Sequence, residues 1–272
     1  MEISHTLSII MKNSPLILLW DHALDLKRVT DKFIKYYNRN IISCKRFVSG
    51  CVILNMKRAT ALLTSFERQK NLDRIITNLR EQTEAIDIFL WNNCAEDKTE
   101  YPVDLQINSS KNLMCWPRWF MANYATTDYV FSLDDDLIFT DNHVIRDAIN
   151  YLDSNDCSAI GYSGVRIINN LKDYSDQQHI FYPRQDQSVD IIKGGFIFTK
   201  KQSIVIPQNL INTCIENPRV EDDIIISSFL SKKVIPGFIR RRLRVQNGFH
   251  SGLHSQTSHT QSRTQYMRKY YE

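Results

Sequence analysis

Asp134-Asp135-Asp136 follows directly on Tyr129-Val-Phe-Ser-Leu133, an apolar run of strand type. Three carboxylates crowded at the end of a hydrophobic strand repel one another unless a cation neutralises them. A divalent cation with hard oxygen ligands does this, and Mn²⁺ or Mg²⁺ suits carboxylates combined with phosphate oxygens. Asp134 and Asp136 have D-x-D spacing and share one side of the pleat if the strand continues. The same residues could also form a solvated acidic turn ahead of a helix. A second cluster, Glu221-Asp222-Asp223, opens the apolar run Ile224–Leu230 and reads as a helix N-terminus, where negative side chains favour the dipole. Together the two clusters suit a site with a metal end and a chemical end.

Other reactive side chains carry less. His250, His254 and His259 lie in a polar C-terminal stretch and read as surface residues before they read as metal ligands. Arg240-Arg241-Arg242-x-Arg244 could attract an acidic acceptor or a phosphate, but a solvated basic face is the commoner use of such a run. Trp116 and Trp119 could stack on a sugar; their helical spacing favours the core. The six cysteines, Cys44, Cys51, Cys94, Cys115, Cys157 and Cys214, form no C-x-x-C pair, which argues against a zinc ribbon. Neither G-x-G-x-x-G nor G-x-x-x-x-G-K-[ST] occurs, so dinucleotide and P-loop readings lose their support.

The elements that must position these residues alternate. Residues 1–47 read as an amphipathic helical extension, and 48–272 as the main domain. Cys51-Val-Ile-Leu-Asn-Met56 is a buried-strand candidate. Thr60 is expected to cap a following helix in which Leu62, Leu63 and Phe66, then Leu72, Ile75, Ile76 and Leu79, recur at helical spacing. Strands follow at Ile86–Trp91, Val103–Ile107 and Tyr129–Leu133, with a helix at Met114–Ala125 and Pro117 in its first turn. This alternation implies an α/β domain with a largely parallel sheet, whose ligands bind at the carboxyl ends of the strands. The second half should hold a helix at Asn142–Leu152, a strand at Ser158–Tyr162, an aperiodic polar stretch at 163–188, and strand character around Gly194-Gly195. The charged fraction of 24% and apolar fraction of 43% describe a globular chain, and the net charge of +4 is too mild to announce a nucleic-acid binder. No run is long and apolar enough to span a bilayer and no signal peptide is evident, so a cytoplasmic or membrane-peripheral location is expected.

From residue 50 to 268 the chain resembles the exostosin-like glycosyltransferases. The resemblance lies in an apolar strand leading to Arg58, Ile-Phe-Leu-Trp-Asn-Asn93, Pro-Arg118, Tyr-Val-Phe-Ser-Leu-Asp-Asp-Asp136, Lys-Gly-Gly-Phe-Ile-Phe198, Asp-Asp-Ile224 and Ser251-Gly-Leu-His-Ser-Gln-Thr-Ser-His259-x-x-x-Arg263. It implies the GT-A fold, a mixed, mainly parallel sheet flanked by helices. It also implies metal-dependent transfer of a sugar, an N-acetylhexosamine by analogy, from a UDP-sugar to a glycan or other hydroxyl acceptor with retention. By the same resemblance Arg58 and Asn93 hold the uridine end, and Arg118 reaches the sugar and diphosphate. Asp134 and Asp135 line the donor site, and Asp136 is the principal metal ligand for Mn²⁺ or Mg²⁺, with Asp134 beside it. Gly194-Gly195 admits acceptor and sugar to the backbone, and Asn112 contacts the donor. Asp223 lies near the anomeric carbon, His259 walls the site, and Arg263 engages the diphosphate.

The departures are specific. Where the family has a pair of cysteines, this chain has Glu221 and Tyr266, in keeping with a reducing compartment. Glu221-Asp222-Asp223 also resembles the acidic motif of inverting GT-A enzymes, in which Asp222 or Asp223 would be a general base. Outside glycosyl transfer, D-x-D at a strand end fits a phosphohydrolase, except that Ile138 stands where that motif needs Thr or Val. A non-catalytic UDP-sugar-binding scaffold is a third reading.

Overall fold

A computed structural model describes residues 58–66, 68–94, 96–97, 99–168, 171–204, 206–217, 221–246 and 257–272. The expected N-terminal extension, the strand at Cys51–Met56, His250, His254 and the Ser251-Gly252 motif lie outside the described residues.

The first half alternates strands and helices: β1 (Ala59–Ser65), α1 (Gln69–Arg80), β2 (Ile86–Asn92), β3 (Leu105–Asn108), α2 (Pro117–Ala122) and β4 (Tyr129–Asp134). Then come β5 (Leu137–Phe139), α3 (Val144–Ser154), β6 (Ala159–Gly161), β7 (Ser163–Arg166), β8 (Gln178–Phe181), β9 (Gln187–Val189), β10 (Ile191–Ile192) and β11 (Phe196–Lys200). The chain closes with α4 (Gln208–Glu216), α5 (Asp222–Phe229), β12 (Lys233–Ile235), β13 (Leu243–Val245) and α6 (Thr257–Tyr271).

The main sheet has 8 strands in the order β3-β2-β1-β4-β11-β6-β12-β9. The β3-β2-β1-β4 block is parallel throughout, while β11 runs antiparallel to both β4 and β6. The sheet is therefore mixed and mainly parallel, with helices flanking it, as expected for the GT-A fold. In the parallel block the carboxyl ends are in register, with Ser65 opposite Asn92, Asn92 opposite Asn108 and Thr64 opposite Asp134. In open α/β sheets this is the edge at which ligands bind. Two small sheets, β10-β7-β8 and β13-β5, stand beside the large one.

The region around Thr60 corrects the sequence reading. Residues 59–65 are a central strand rather than the first turn of a helix, paired with β2 on one side and β4 on the other, and buried along their whole length. Burial on both faces removes the alternation that marks a strand, and Leu62, Leu63 and Phe66 then mimic helical spacing. The helix begins only at Gln69, and its apolar stripe is Leu72, Ile75, Ile76 and Leu79. The polar stretch 163–188, aperiodic in sequence, holds β7, β8 and the start of β9. Its strands are short and partly exposed, so few side chains had to be apolar. The polar tail contains a 15-residue helix, α6, anchored by buried Met267. Among the described residues no helix is long and apolar enough to cross a membrane.

Candidate active site

β4 carries Asp134 to the carboxyl edge. β11 approaches from the other direction, and the Asp134 N–H donates to the Gly195 carbonyl at 3.0 Å. Antiparallel pairing thus brings Gly194-Gly195 beside the first acidic cluster. α5 docks its first turn next to the same glycines, because the buried Ser227 hydroxyl accepts from the Ile192 N–H at 2.9 Å. Its Asp223 Oδ2 accepts from the Gly194 N–H at 3.0 Å.

Arg118 joins the two acidic clusters. It lies in α2, is only 2% exposed, and donates from Nη1 to Asp134 at 2.6 Å. Its Nε and Nη2 donate to Asp222 Oδ2 at 3.2 and 2.9 Å, and Nη2 also reaches the Gly194 carbonyl at 3.4 Å. Trp119, one residue on, gives its indole N–H to the same Asp222 oxygen at 2.9 Å. Trp116 and Trp119 are both fully buried, so the pair belongs to the core. Burial opposes the charge of Arg118, but Asp222 and Asp134 outweigh it and hold the guanidinium firmly protonated.

Asp222 and Asp223 diverge. Burial pushes the Asp222 carboxyl up, and Arg118 only partly offsets this. Asp223 is equally buried, yet Arg263 and the N–H groups of Gly194 and Ile224 pull its carboxyl below the ordinary range. Arg263 comes from α6. Its Nη2 donates to Asp223 Oδ2 at 2.7 Å and to the Tyr174 hydroxyl at 2.8 Å, and its Nη1 donates to Glu221 Oε2 at 3.0 Å. The guanidinium also sits 4.4 Å from the centre of the Tyr174 ring. His259 Nε2 lies 3.5 Å from the same Glu221 oxygen. The Glu221–Arg263 ion pair, one turn before Tyr266, ties the start of α5 to α6.

Arg68, which the sequence reading passed over, holds the other aspartates. Its Nη1 donates to Asp135 at 3.0 Å and to Asp136 at 2.7 Å. Asn71, at the start of α1, donates to the Asp135 carbonyl at 2.9 Å. Burial pushes the Asp135 carboxyl up to about 6, with Arg68 opposing and Asp134 adding to the rise. Asp136 is raised too, by burial and by Asp134.

The remaining expected residues divide. Asn93 is buried; its amide donates to the Met114 carbonyl at 2.9 Å and accepts from the Leu113 N–H at 3.0 Å. Asn112 accepts from the Met114 N–H at 2.8 Å. Both asparagines brace the loop in which Met114 takes a left-handed φ of 56°. Arg58 stands apart. It precedes β1 and pairs with Asp87 near the amino end of β2. β1 has 7 residues. At about 3.3 Å per residue the strand puts some 20 Å between Arg58 and the acidic edge. The arginine that follows this strand at its carboxyl end is Arg68. A helix starting at Gln69 directly after an arginine is the signal that would have found it. Arg242 of the basic run pairs with Asp147 at 2.6 Å and Asp141 at 3.5 Å, a structural use.

Six carboxylates (Asp134, Asp135, Asp136, Glu221, Asp222, Asp223) thus meet the guanidinium groups of Arg68, Arg118 and Arg263, with the Lys193 ammonium nearby. The negative charge is in excess, and Asp134 and Asp136 keep 38% and 26% of their side chains exposed. Such a donor set fits a divalent cation with oxygen ligands. Among the described residues no group of three or more His, Cys, Asp or Glu is already arranged as a metal cage. A cation here would take the rest of its ligands from elsewhere, as Mg²⁺ and Mn²⁺ do from phosphates and water.

No curated protein sequence matches the chain. Among solved structures it is similar to residues 1–349 of TarS from S. aureus, at 12% identity and a TM-score of 0.44, over 67% of this chain and 58% of that one. It is also similar to the mannosyltransferase PcManGT from Pyrobaculum calidifontis, solved in complex with GDP-Man and Mn²⁺, at 12% identity and a TM-score of 0.45, over 77% and 64%. The chain therefore spans less than two thirds of the length of either. Residues 60–205, more than half of the 272, match glycosyl transferase family 2, running from the central strand β1 through both sides of the Asp134–Gly195 junction. With that match, on a mixed sheet of GT-A type, the chain belongs to glycosyl transferase family 2.

Proposed function

We propose that the protein transfers a sugar from a UDP-sugar to a hydroxyl acceptor at the junction of its two acidic clusters. The observation that carries this reading is the bridge from Asp134 through Arg118 to Asp222, which sets Asp223 and Arg263 beside the D-x-D edge. In the reaction the bond from the anomeric carbon to the diphosphate oxygen breaks, and a bond to the acceptor oxygen forms. Negative charge grows on the leaving diphosphate and positive charge on the sugar. Arg68 stands at the nucleotide end, and Arg118 and Arg263 provide fixed positive charge for the diphosphate, which is the form of electrostatic help that costs no reorganisation. Asp136, with Asp134, would hold Mn²⁺ or Mg²⁺, whose chemistry is to neutralise charge on the diphosphate. N-acetylhexosamine as the transferred sugar rests on the exostosin-like motifs. An aqueous location, free or against a membrane surface, accompanies this reading.

Asp223 has two uses. It is kept ionised, and among the described residues its Oδ1 accepts only the Ile224 N–H, at 2.8 Å, which leaves a lone pair for an acceptor hydroxyl. As base it would take that proton as the acceptor attacks from the face opposite the diphosphate, with inversion. This course is favoured over Asp222 as base, because Asp222 Oδ2 already takes three donors. The exostosin-like motifs support retention instead. There the acceptor attacks on the leaving-group face, its proton goes to a phosphate oxygen, and Asp223 only stabilises the positive sugar. The test is the purified protein with Mn²⁺ against a panel of UDP-sugars, reading UDP release with and without chelator. NMR of the product anomer follows. No release from any nucleotide sugar would defeat the proposal, and the anomer chooses between the two courses.

A further inference from the structure

In the β10-β7-β8 sheet, residues directly opposite one another share a face. Ile191, Val165 and His179 form one row, and Ile191 and Val165 are buried against Tyr174, Ile224 and Met267. Two residues along, Ser163 stands opposite Phe181, and the Lys193 N–H donates to the Ser163 carbonyl at 2.9 Å. Ser163 is buried, but the outer end of this row is uncovered: Phe181 is 56% exposed and its neighbour Tyr182 is 42% exposed. Lys193 Nζ lies 4.0 Å from the centre of the Phe181 ring. The next residue is Gly194, bonded to Asp223, so the row runs straight into the wall of the site. Tyr182 holds a left-handed φ of 47° and packs on Tyr162, which in turn covers Gly195.

Among the described residues the Lys193 ammonium forms no ion pair. Burial and the charge of Arg263 push its pKa down to about 8, with Asp223 only partly opposing. The carboxylates nearest to Arg263 are themselves committed to it. An unpaired, half-buried cation over an exposed aromatic edge, at the border of a sugar-transfer site, lacks two things. One is an anion for the ammonium, and the other is an apolar surface over the exposed parts of the two rings, which otherwise meet His179 and Lys193 at Phe181 and Tyr162 at Tyr182. We propose that Lys193, Phe181 and Tyr182 form the acceptor subsite and select a pyranose that bears a negative charge, its ring lying along the aromatic edge and its carboxylate or phosphate on Lys193. This rests on the glycosyltransferase reading above.

Saturation-transfer NMR with three probes tests it: methyl β-D-glucuronide, methyl 6-phospho-β-D-glucoside and neutral methyl β-D-glucoside. The two charged probes should bind at least about fivefold more tightly than the neutral one, and the stronger of them identifies the anion. Lys193→Gln should erase the difference between charged and neutral probes. Phe181→Ala, at an exposed position, should remove the signals of all three. Calorimetry with UDP and Mn²⁺ runs in parallel and should change by less than about twofold in both variants. Equal binding of charged and neutral probes, or probe binding indifferent to both substitutions, overturns the subsite. A loss of UDP affinity in Lys193→Gln also overturns it, by assigning the lysine to the donor. Failure of the unaltered protein to bind UDP would instead strike the transferase reading itself.

Discussion

Asp222 and Asp223 are adjacent in the chain and equally hidden from solvent, yet each is held by a different arginine, Asp222 by Arg118 from α2 and Asp223 by Arg263 from α6. The first pair ties the second acidic cluster to the first. The second pair keeps a carboxylate ionised beside Gly194. The two aspartates should therefore fail in different ways. Asp222→Asn is expected to cost about 3 kcal/mol of stability, because it takes a partner from a buried guanidinium. Asp223→Asn should lose turnover by about 10²–10³-fold with donor affinity nearly unchanged. Denaturation and steady-state kinetics on the two single variants separate these outcomes. A dead, stable Asp222→Asn beside an active Asp223→Asn would reverse the assignment.

Arg263 sets the pH range of that carboxylate. With the Asp223 pKa depressed in the folded protein, its contribution to stability is in place above the ordinary carboxylate value near ~3.9 and is lost as pH falls through the folded value. Activity that needs ionised Asp223 should follow the same acid limb. In Arg263→Gln the carboxyl loses its main counter-charge, so the acid limb of the kcat profile should move to higher pH. The position of the limb is the readout, since the overall rate will also drop. An unmoved limb would show that Arg263 does not govern Asp223.

Removing Asp136 should separate stability from function. Its carboxyl is raised by burial and by Asp134, which its pairing with Arg68 only partly offsets, so it is a destabilised anion without a metal ion. Asp136→Ala should keep the thermal midpoint or raise it by a few degrees, about 1 kcal/mol at most. The same change should abolish the Mn²⁺-dependent part of UDP binding. Chelator added to the unaltered protein should reproduce that loss, and calorimetry with and without Mn²⁺ checks both.

Gly194 and Gly195 should respond differently to an added methyl group. A Cβ on Gly195 would lie 2.8 Å from the Tyr162 hydroxyl and 2.9 Å from Leu137 Cδ1, whereas one on Gly194 would meet Asp223 Cβ at 3.4 Å and Arg118 Nη2 at 3.5 Å. Gly195→Ala is expected to cost about 1–3 kcal/mol by overpacking. Gly194→Ala should fold with little loss but raise KM, because the methyl group narrows the space beside Asp223. Chemical denaturation and KM values for both variants test this.

Arg68 and Arg58 give the fifth prediction. Arg68→Ala should weaken UDP-sugar binding about tenfold or more, while Arg58→Ala should leave it within about twofold. Titration of both variants with the same UDP-sugar decides between them. Equal effects would mean that the amino end of β1 reaches the nucleotide after all.

The sequence alone determined much of this protein. The run Tyr129–Leu133 could only be a buried strand, so Asp134 had to emerge at its end. The strand at Ile86–Asn92, the helix Val144–Ser154 and the helix that opens at Asp222 follow from local apolar pattern and first-turn carboxylates, which are properties of neighbouring residues. Two things were decided only by the tertiary structure. One was the identity of the first described strand: residues 59–65 have no alternation to announce them, and only strands on both sides make the extended form the one that satisfies their backbone hydrogen bonds. With residues 59–65 read as the start of a helix, Arg68 was passed over. The other was the pairing of charges. Nothing in the order of residues says that Asp222 goes to Arg118 and Asp223 to Arg263, because consecutive residues on a helix point in different directions and their partners come from elements distant in the chain. Only the meeting of α2, α5 and α6 at the carboxyl edge of the sheet fixes which carboxylate pairs with which arginine.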